Sequence, residues 1–211
     1  MMQYKDEHNG HYCLYHWKQD PPIWCLNLFS LPLRAKQHAS SRTALVKILA
    51  RLGYQENVEQ IKISNHHCIQ SAPEYLCSLS HTKDGWAVGL IAMADKYLGV
   101  GVDLEFKNRT FKEETRKLFV NDSDTYSNLL QLWCYKESAF KAIAPLLNDS
   151  ILNKVFVLKD IFIRGHDFGL ITNGKVLGHI HSDIIVCEEL EFIITSAYLV
   201  KPLCFESNRN N

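Results

Sequence analysis

Two carboxylates stand two residues apart, at Asp103 and Glu105. In a strand both would lie on one face, because alternate side chains point the same way, with Cα atoms roughly 7 Å apart. Two acids on one face repel each other unless a cation lies between them, and carboxylate oxygens favour Mg²⁺, with Mn²⁺ as a substitute. The alternative is a solvated strand face with two ordinary acids, which is commoner for an isolated Asp-x-Glu pair.

A third carboxylate, Glu137, lies in the sequence WCYKESAFK. At about 100° per residue of helix, Glu137 shares an apolar stripe with Trp133 and Phe140. Lys136 and Lys141 flank that stripe. Opposite charges three or four residues apart on a surface helix stabilise it, and this would explain the lysines. It does not explain Glu137, because an acid between two aromatic side chains would be partly desolvated without a partner. Three carboxylates with flanking lysines predict a metal site for phosphoryl chemistry.

Polar side chains earlier in the chain complete the candidate set. Ser80 and His81 stand at the end of a predicted strand, where a hydroxyl and an imidazole can both bind phosphate oxygens. Arg42 lies on a predicted helix. Taken singly, His81 is more simply a structural or solvated side chain, and Arg42 a surface arginine.

Hydrophobic periodicity predicts the elements that position these residues. Apolar side chains recur at helical spacing over residues 34–52, and Gly53 then ends the helix. A hairpin and a third strand follow, over residues 75–80, 86–92 and 97–105.

The second half of the chain is predicted to contain one long helix and several strands. The helix begins at a cap provided by Asp122 or Ser123 and reaches about Leu147. The strands cover residues 155–163, 168–172, 175–181, 184–187 and 192–200. The fold class is therefore α+β, and the order of elements suggests two related lobes.

Composition excludes several classes of protein. The 23 basic and 23 acidic residues cancel, so nothing points to a nucleic-acid partner. The N-terminus lacks the apolar region of a secretory signal, and no apolar run is long enough for a membrane span. We therefore expect a cytoplasmic protein with no membrane contact. The seven cysteines form no CxxC pair, which predicts reduced and mostly buried thiols.

The motifs, in this order, resemble those of the Sfp-type 4'-phosphopantetheinyl transferases of the holo-acyl-carrier-protein synthase superfamily. That family carries Ser-His at a strand end, then G-[IV]-D-[IL]-E, then W-x-x-K-E-[AS]-x-x-K. Here the motifs read SH at residues 80–81, GVDLE at 101–105 and WCYKESAFK at 133–141. The resemblance runs from about Arg34 to Lys141 and is looser beyond it.

The resemblance implies an enzyme that transfers phosphopantetheine from coenzyme A to a serine of an apo acyl or peptidyl carrier protein, releasing 3',5'-ADP. It implies Mg²⁺ as the cofactor, with Asp103, Glu105 and Glu137 as metal ligands. The same comparison makes Glu137 and Lys141 the catalytic groups, although it leaves open whether Glu137 acts as base, ligand or both.

The resemblance also assigns contacts with coenzyme A. Arg42 corresponds to the arginine that meets the 3'-phosphate. His81 and Lys141 correspond to the groups that hold the pyrophosphate. Ser80 and Lys136 are expected to add further contacts.

The implied architecture is a pair of α+β lobes related by a pseudo-twofold axis, with the active site in the cleft between them. Each lobe is a small sheet packed with helices. We expect the lobes at residues 1–97 and 98–205, followed by a disordered tail at 206–211, and we expect a monomer.

Some features depart from the family pattern. The Gly-x-Pro turn beside the adenine is missing, and Arg34 or Lys36 would have to replace a pair of lysines. An acid that other members carry between the motifs would have to be Asp122 or Asp124. The adenine-side contacts and the choice of carrier protein therefore stay open.

Two alternatives also stay open. The first is a zinc-binding structural module. His66, His67, Cys68, Cys77 and His81 cluster in the sequence and could supply its ligands, but their spacing matches no common zinc pattern. The other alternative is a catalytically silent relative that binds a carrier protein. The presence of all three acids and the flanking lysine argues against it.

Overall fold

The structure is a computed structural model that describes residues 2–5, 10–65, 67–126, 128–147 and 156–201. The tail that the sequence predicts to be disordered, residues 206–211, lies outside these ranges.

The first half of the chain builds an antiparallel sheet, sheet A, in which six strands are described. Their order is β1-β2-β6-β5-β4-β3, and the helices α1 and α2 lie between β2 and β3 in the chain. The bounds are β1 Met2–Lys5, β2 His11–His16, α1 Ile23–Leu26, α2 Pro32–Arg51, β3 Ile63–Ser64, β4 Cys68–Ile69, β5 Tyr75–His81 and β6 Trp86–Met93.

The second half builds another antiparallel sheet, sheet B, whose five described strands have the order β7-β11-β10-β9-β8. The helices α3 and α4 follow β7. The bounds are β7 Tyr97–Phe106, α3 Glu113–Phe119, α4 Leu129–Ile143, β8 Ile161–Arg164, β9 Asp167–Leu170, β10 Val176–Cys187 and β11 Leu190–Val200.

None of the described helices has both the length and the apolar character that a membrane span requires.

The two sheets pack face to face, and each carries a helix on its outer side. Trp86 and Val88 of sheet A share one buried cluster with Val102, Leu104 and Phe192 of sheet B. Helix α2 buries its apolar side chains against the opposite face of sheet A, and α4 does the same on sheet B. The predicted α+β class is therefore confirmed.

Helix α4 lies unusually close to β7, because glycines face it. A Cβ atom added at Gly101 would stand 1.8 Å from the carbonyl oxygen of Ser138, and one at Gly99 would stand 2.1 Å from that of Ala142. Neither position leaves room for a side chain. This contact brings the residues of α4 within reach of the polar face of β7.

The predictions for α2, β5, β6 and β7 are confirmed to within a few residues. The predicted cap of the long helix is wrong, because α4 begins at Leu129. Asn128 is its cap, with Oδ1 accepting from the backbone N–H of Gln131. The residues that looked like a cap instead form a loop, in which the Asp124 carboxylate accepts from the backbone N–H groups of Asn121 and Ile163.

Two predictions for the strands also need correction. β10 is one continuous strand, since Ser182 and Asp183 pair with β11 and leave no break. β8 begins only at Ile161, after a short 3₁₀ turn. The strands β1 and β2 were not predicted.

Candidate functional site

The acids of β7 share the strand face that lies against α4. Val102 and Leu104 point into the core between the sheets, so Asp103 and Glu105 point the other way, as the alternation predicts. Asp103 is only 5% exposed. A carboxylate so far from water needs compensating partners in the protein.

Two neighbouring elements, α4 and β5, supply polar groups around the Asp103 carboxylate. Lys141 Nζ, from α4, donates to Asp103 Oδ1 at 2.8 Å and to Ser80 Oγ at 3.0 Å. Ser80, at the end of β5, donates in turn to the same Oδ1 at 2.9 Å. Asp103, Ser80 and Lys141, hereafter the Asp103 group, thus join both sheets and α4 through one carboxylate oxygen.

The Asp103 group also completes the edge of sheet B. β7 is an edge strand, and Val102 has its backbone N–H and C=O directed away from β11. The N–H donates to Ser78 Oγ at 3.0 Å, and the carbonyl oxygen accepts from Lys141 Nζ at 2.9 Å. Side chains from β5 and α4 therefore take the place of a neighbouring strand.

The second oxygen of Asp103 is left without a comparable partner. Oδ2 is buried, and no hydrogen bond to it is present among the described residues. The buried Cys134 thiol lies beside the carboxylate, and burial, with Asp103 nearby, raises the pKa of that thiol. A thiol is a weak donor, so Asp103 Oδ2 retains the capacity to bind a cation or a water molecule.

Glu137 lies on α4, half-buried. Burial raises its pKa, the Asp103 charge raises it further, and Lys141 and Arg109 oppose the shift. The carboxylate therefore holds its proton more strongly than a solvated glutamate does. Trp133 and Phe140 of the same helix are only partly buried.

Glu105 has a cationic partner of its own. Arg109 Nη1 donates to Glu105 Oε1, and the side chains are 39% and 15% exposed, respectively. The guanidinium carbon also lies 4.8 Å from the ring centre of Phe111 and 5.3 Å from that of Trp133. The arginine therefore contacts an acid and two aromatic rings at once.

His81 lies at the end of β5, next to Ser80 in the chain. Its side chain is exposed at the strand end, and partial desolvation of the ring, together with the nearby cations Lys141 and Arg34, lowers the pKa of its imidazole. The ring is therefore more fully neutral at pH 7 than a free histidine, and an anion bound beside it would raise the pKa again.

Arg42 projects from α2 beside a cavity of about 550 Å³ that Ser78, Phe140 and Lys141 also line. Its Nη1 donates to the carbonyl oxygen of Ile61 at 2.6 Å. The structure thus brings two of the sequence-predicted cations, Arg42 and Lys141, to one cavity.

A second cavity, of about 960 Å³, opens beside Glu105 and His81. Trp86 and Phe106 supply apolar lining, and Arg109 lies in its wall. Lys141 of the Asp103 group lines the first cavity, and His81, which follows Ser80 in the chain, lines the second together with Glu105.

The structure does not bring Lys136 to this site. Its ammonium group is fully buried and pairs with Asp124 Oδ2 at 2.7 Å, and it donates to the carbonyl oxygen of Phe119 at 2.6 Å. Helical spacing puts Lys136 beside Glu137, but the loop before α4 covers that flank. The prediction that Lys136 contacts coenzyme A therefore has no support. Asp124, which was a candidate for the acid between the motifs, forms an ion pair with this lysine.

The zinc alternative finds no support in the described residues. His67 Nδ1 lies 2.8 Å from the carbonyl oxygen of Asn65, and burial raises the pKa of Cys77 to about 12, which disfavours the thiolate that zinc binds. No group of three or more histidine, cysteine and acidic side chains within the described ranges is arranged to hold a metal ion. His66 lies outside those ranges.

The described carboxylates form no such group either, and Asp103 and Glu105 are instead paired with Lys141 and Arg109. Their chemistry nevertheless fits a hard divalent cation. Three carboxylates come from a strand and the helix packed on it, and Asp103 Oδ2 is buried without a hydrogen-bond partner in the described residues. Oxygen donors of this type suit Mg²⁺ or Mn²⁺.

The sequence analysis missed Arg109 and Cys134 as parts of this site. Arg109 follows Glu105 by four residues, but a chain that leaves a strand can direct such a side chain anywhere. Cys134 lies one turn before Ser138 on the face that contacts β7, and that spacing was the available signal.

No protein-family model matches the chain. No curated protein matches its sequence.

Proposed function

We propose that the chain is a magnesium-dependent 4'-phosphopantetheinyl transferase. The reaction would move phosphopantetheine from coenzyme A to a serine of an apo acyl or peptidyl carrier protein. The observation that carries the proposal is the Asp103 group, in which Lys141 Nζ lies 2.8 Å from Asp103 Oδ1 and 3.0 Å from Ser80 Oγ. Residues of three separate motifs meet there, and Lys141 also lines the cavity beside Arg42.

The architecture supports the proposal. Each half of the chain forms an antiparallel sheet with a helix on its outer face. We propose that residues 1–97 and 98–205 are two lobes related by a pseudo-twofold axis, with the substrate between them.

The cavity beside Arg42 suits the nucleotide end of coenzyme A. Arg42 and Lys141 are its cations, and phosphate oxygens are the groups that such cations recognise. We assign the 3'-phosphate to Arg42 and the pyrophosphate to Lys141, Ser80 and His81. In this assignment the neutral imidazole of His81 donates one hydrogen bond.

The second cavity suits the uncharged pantetheine arm. Trp86 and Phe106 offer apolar surface, while Thr82 and Asn108 offer polar groups. Because Glu105 and His81 line this cavity, an arm bound here would begin next to the groups that hold the phosphate.

A bound Mg²⁺ would be held by Asp103, Glu105 and Glu137 and would neutralise charge that builds on the phosphate oxygens. The chain's own groups do the rest. Lys141 adds fixed positive charge. Glu137 accepts the proton of the carrier serine, for which its raised pKa is suited.

The proposed transfer of phosphopantetheine needs neither an oxidant nor a third substrate. The serine oxygen forms a bond to the β-phosphorus of coenzyme A, and the bond from that phosphorus to the bridging oxygen breaks. 3',5'-ADP leaves with the bonding electron pair, while the serine proton passes to Glu137.

The deciding experiment is incubation with coenzyme A, Mg²⁺ and a panel of apo carrier proteins, read by intact mass. We expect at least one carrier to gain the phosphopantetheine mass. Asp103→Asn should abolish the gain. Asp167→Asn is the matched control, because Asp167 is a half-exposed acid of β9 that pairs with His179. This variant should still transfer phosphopantetheine. Failure of the wild type on every carrier would contradict the proposal.

The coenzyme A assignment has its own test. Arg42→Gln should weaken binding of coenzyme A more than binding of dephospho-coenzyme A, which lacks the 3'-phosphate. Arg51→Gln removes an exposed charge near the end of the same helix and should affect neither. Equal losses for both ligands would remove Arg42 from the 3'-phosphate.

A further inference from the structure

Arg109 occupies the place at Glu105 where a divalent cation would bind. Its guanidinium donates to Glu105 Oε1, and Glu105 is one of the three carboxylates assigned to the metal. A carboxylate oxygen that accepts from a guanidinium is less available to another cation.

The aromatic contacts of Arg109 would still hold its side chain after it leaves Glu105. The guanidinium lies over the rings of Phe111 and Trp133, and those rings are 5.4 Å apart. A cation over an aromatic face is attracted without any acid. Arg109 can therefore leave Glu105 and remain against the two rings.

The local backbone supports such a movement. The backbone N–H of Arg109 donates to the carbonyl oxygen of Phe106 at 3.0 Å, so the chain turns back directly after β7. This turn fixes the backbone near Glu105, and the exchange needs only a change of side-chain rotamer at Arg109, which is 39% exposed.

We propose that Arg109 is a built-in competitor of the divalent cation, displaced from Glu105 when the cation binds and retained against Phe111 and Trp133, which it already contacts. The inference rests on the proposed metal centre but not on the identity of the carrier or of the group transferred. It makes Arg109 a residue that sets metal affinity and whose position against Phe111 and Trp133 changes when the metal binds.

Direct binding of Mn²⁺, followed by the electron paramagnetic resonance of the free ion, tests the competition. Arg109→Gln should lower the dissociation constant about threefold or more, because a modestly stable ion pair no longer has to be broken. Lys107→Gln is the control. It removes a charge from the same turn, where Lys107 pairs with Glu191 at the surface, and should produce a smaller change.

Tryptophan fluorescence supplies a second readout. Mg²⁺ should change the emission of the wild type, because the guanidinium that already lies over Trp133 loses its partner Glu105 and shifts against the ring. The change should be lost in Trp133→Phe, although three other tryptophans remain, and should be much smaller in Arg109→Gln.

The outcomes separate the two proposals. If Asp103→Asn binds Mn²⁺ as well as the wild type does, the metal centre itself is misplaced and both proposals fail. If Asp103→Asn loses binding while Arg109→Gln matches Lys107→Gln, only the competition by Arg109 is overturned. A lower dissociation constant in Arg109→Gln alone supports it, whatever the carrier experiments give.

Discussion

Lys141 of α4 reaches Asp103 across the glycine-lined contact with β7, and its Nζ lies 2.8 Å from Asp103 Oδ1. The pair is not at the surface, since the aspartate side chain is 7% exposed and the lysine side chain 26%. It therefore has two roles: it compensates a buried acid and it places a cation beside a cavity.

Replacing Lys141 with methionine should separate these roles. The buried Asp103 loses its counter-charge, so we expect the free energy of unfolding to fall by about 1–3 kcal/mol, measured by urea denaturation. Lys141→Arg keeps the charge and should recover much of the stability. If the proposed function holds, Lys141→Met should also lose transfer of phosphopantetheine. Unchanged stability in Lys141→Met would mean that the pair is not formed in solution.

Glu137→Gln keeps the shape of the side chain and removes its charge. The pKa of Glu137 is raised, so the folded protein binds this proton more tightly than the unfolded chain, and ionisation destabilises the fold as pH rises through the folded pKa. Without metal, Glu137→Gln should melt higher than the wild type at pH 8, and the difference should shrink toward pH 4. A lower melting temperature at pH 8 would contradict this.

Glu137→Gln should raise stability without metal but lower the rate of catalysis. Loss of a general base costs at least about a hundredfold in turnover, whereas a surface charge costs almost nothing. Turnover of an apo carrier, with saturating Mg²⁺, is the measurement. Normal turnover in Glu137→Gln would rule out a catalytic role for this residue.

Lys136→Met tests a structural assignment. Removing Lys136 leaves Asp124, whose side chain is 1% exposed, as an uncompensated buried charge. We expect a loss of about 3–5 kcal/mol in the free energy of unfolding, measured in urea. Lys117→Met, an exposed lysine of α3, is the control and should change little. A stable Lys136→Met with weakened coenzyme A binding would restore the role that the sequence suggested.

His38 should make the fold acid-sensitive. Burial, with Arg42 nearby, lowers its pKa from 6.5 to about 4, and Phe29 lies 5.0 Å from its ring centre. The folded state resists protonation, so this contribution to stability is complete above pH 6.5 and is lost as pH falls through about 4. His38→Asn should therefore lose less stability than the wild type between pH 6.5 and 4. Parallel losses would show that His38 is not desolvated.

The sequence predicts the elements of the site better than their surroundings. Alternation along β7 correctly puts Asp103 and Glu105 on one face, because a strand fixes the direction of every second side chain. Helical spacing puts Lys141 and Glu137 on neighbouring parts of α4. It cannot show what covers each part, so it could not distinguish Lys141, which points to β7, from Lys136, which the loop before α4 encloses.

Long-range pairing explains the other differences. β1 and β2 are short, and β2 is HYCLYH, whose histidines and tyrosines give no clear alternation, so its place beside β6 depends on the completed sheet. The position of the Arg109 side chain beside Glu105 depends on the path of the chain after β7. Both are tertiary features, which local patterns do not encode.

The edge of sheet B has a consequence for aggregation. An edge strand with unpaired N–H and C=O groups can recruit a strand from another molecule. At Val102 that possibility is blocked by Ser78 and Lys141, which occupy both backbone groups. Lys141 thus also keeps another chain from pairing with β7 at this point. Because Val102 is fully buried, a substitution that removes Lys141 would leave the carbonyl oxygen of Val102 buried without this hydrogen bond, so the lysine supports the edge of sheet B whatever chemistry the site performs.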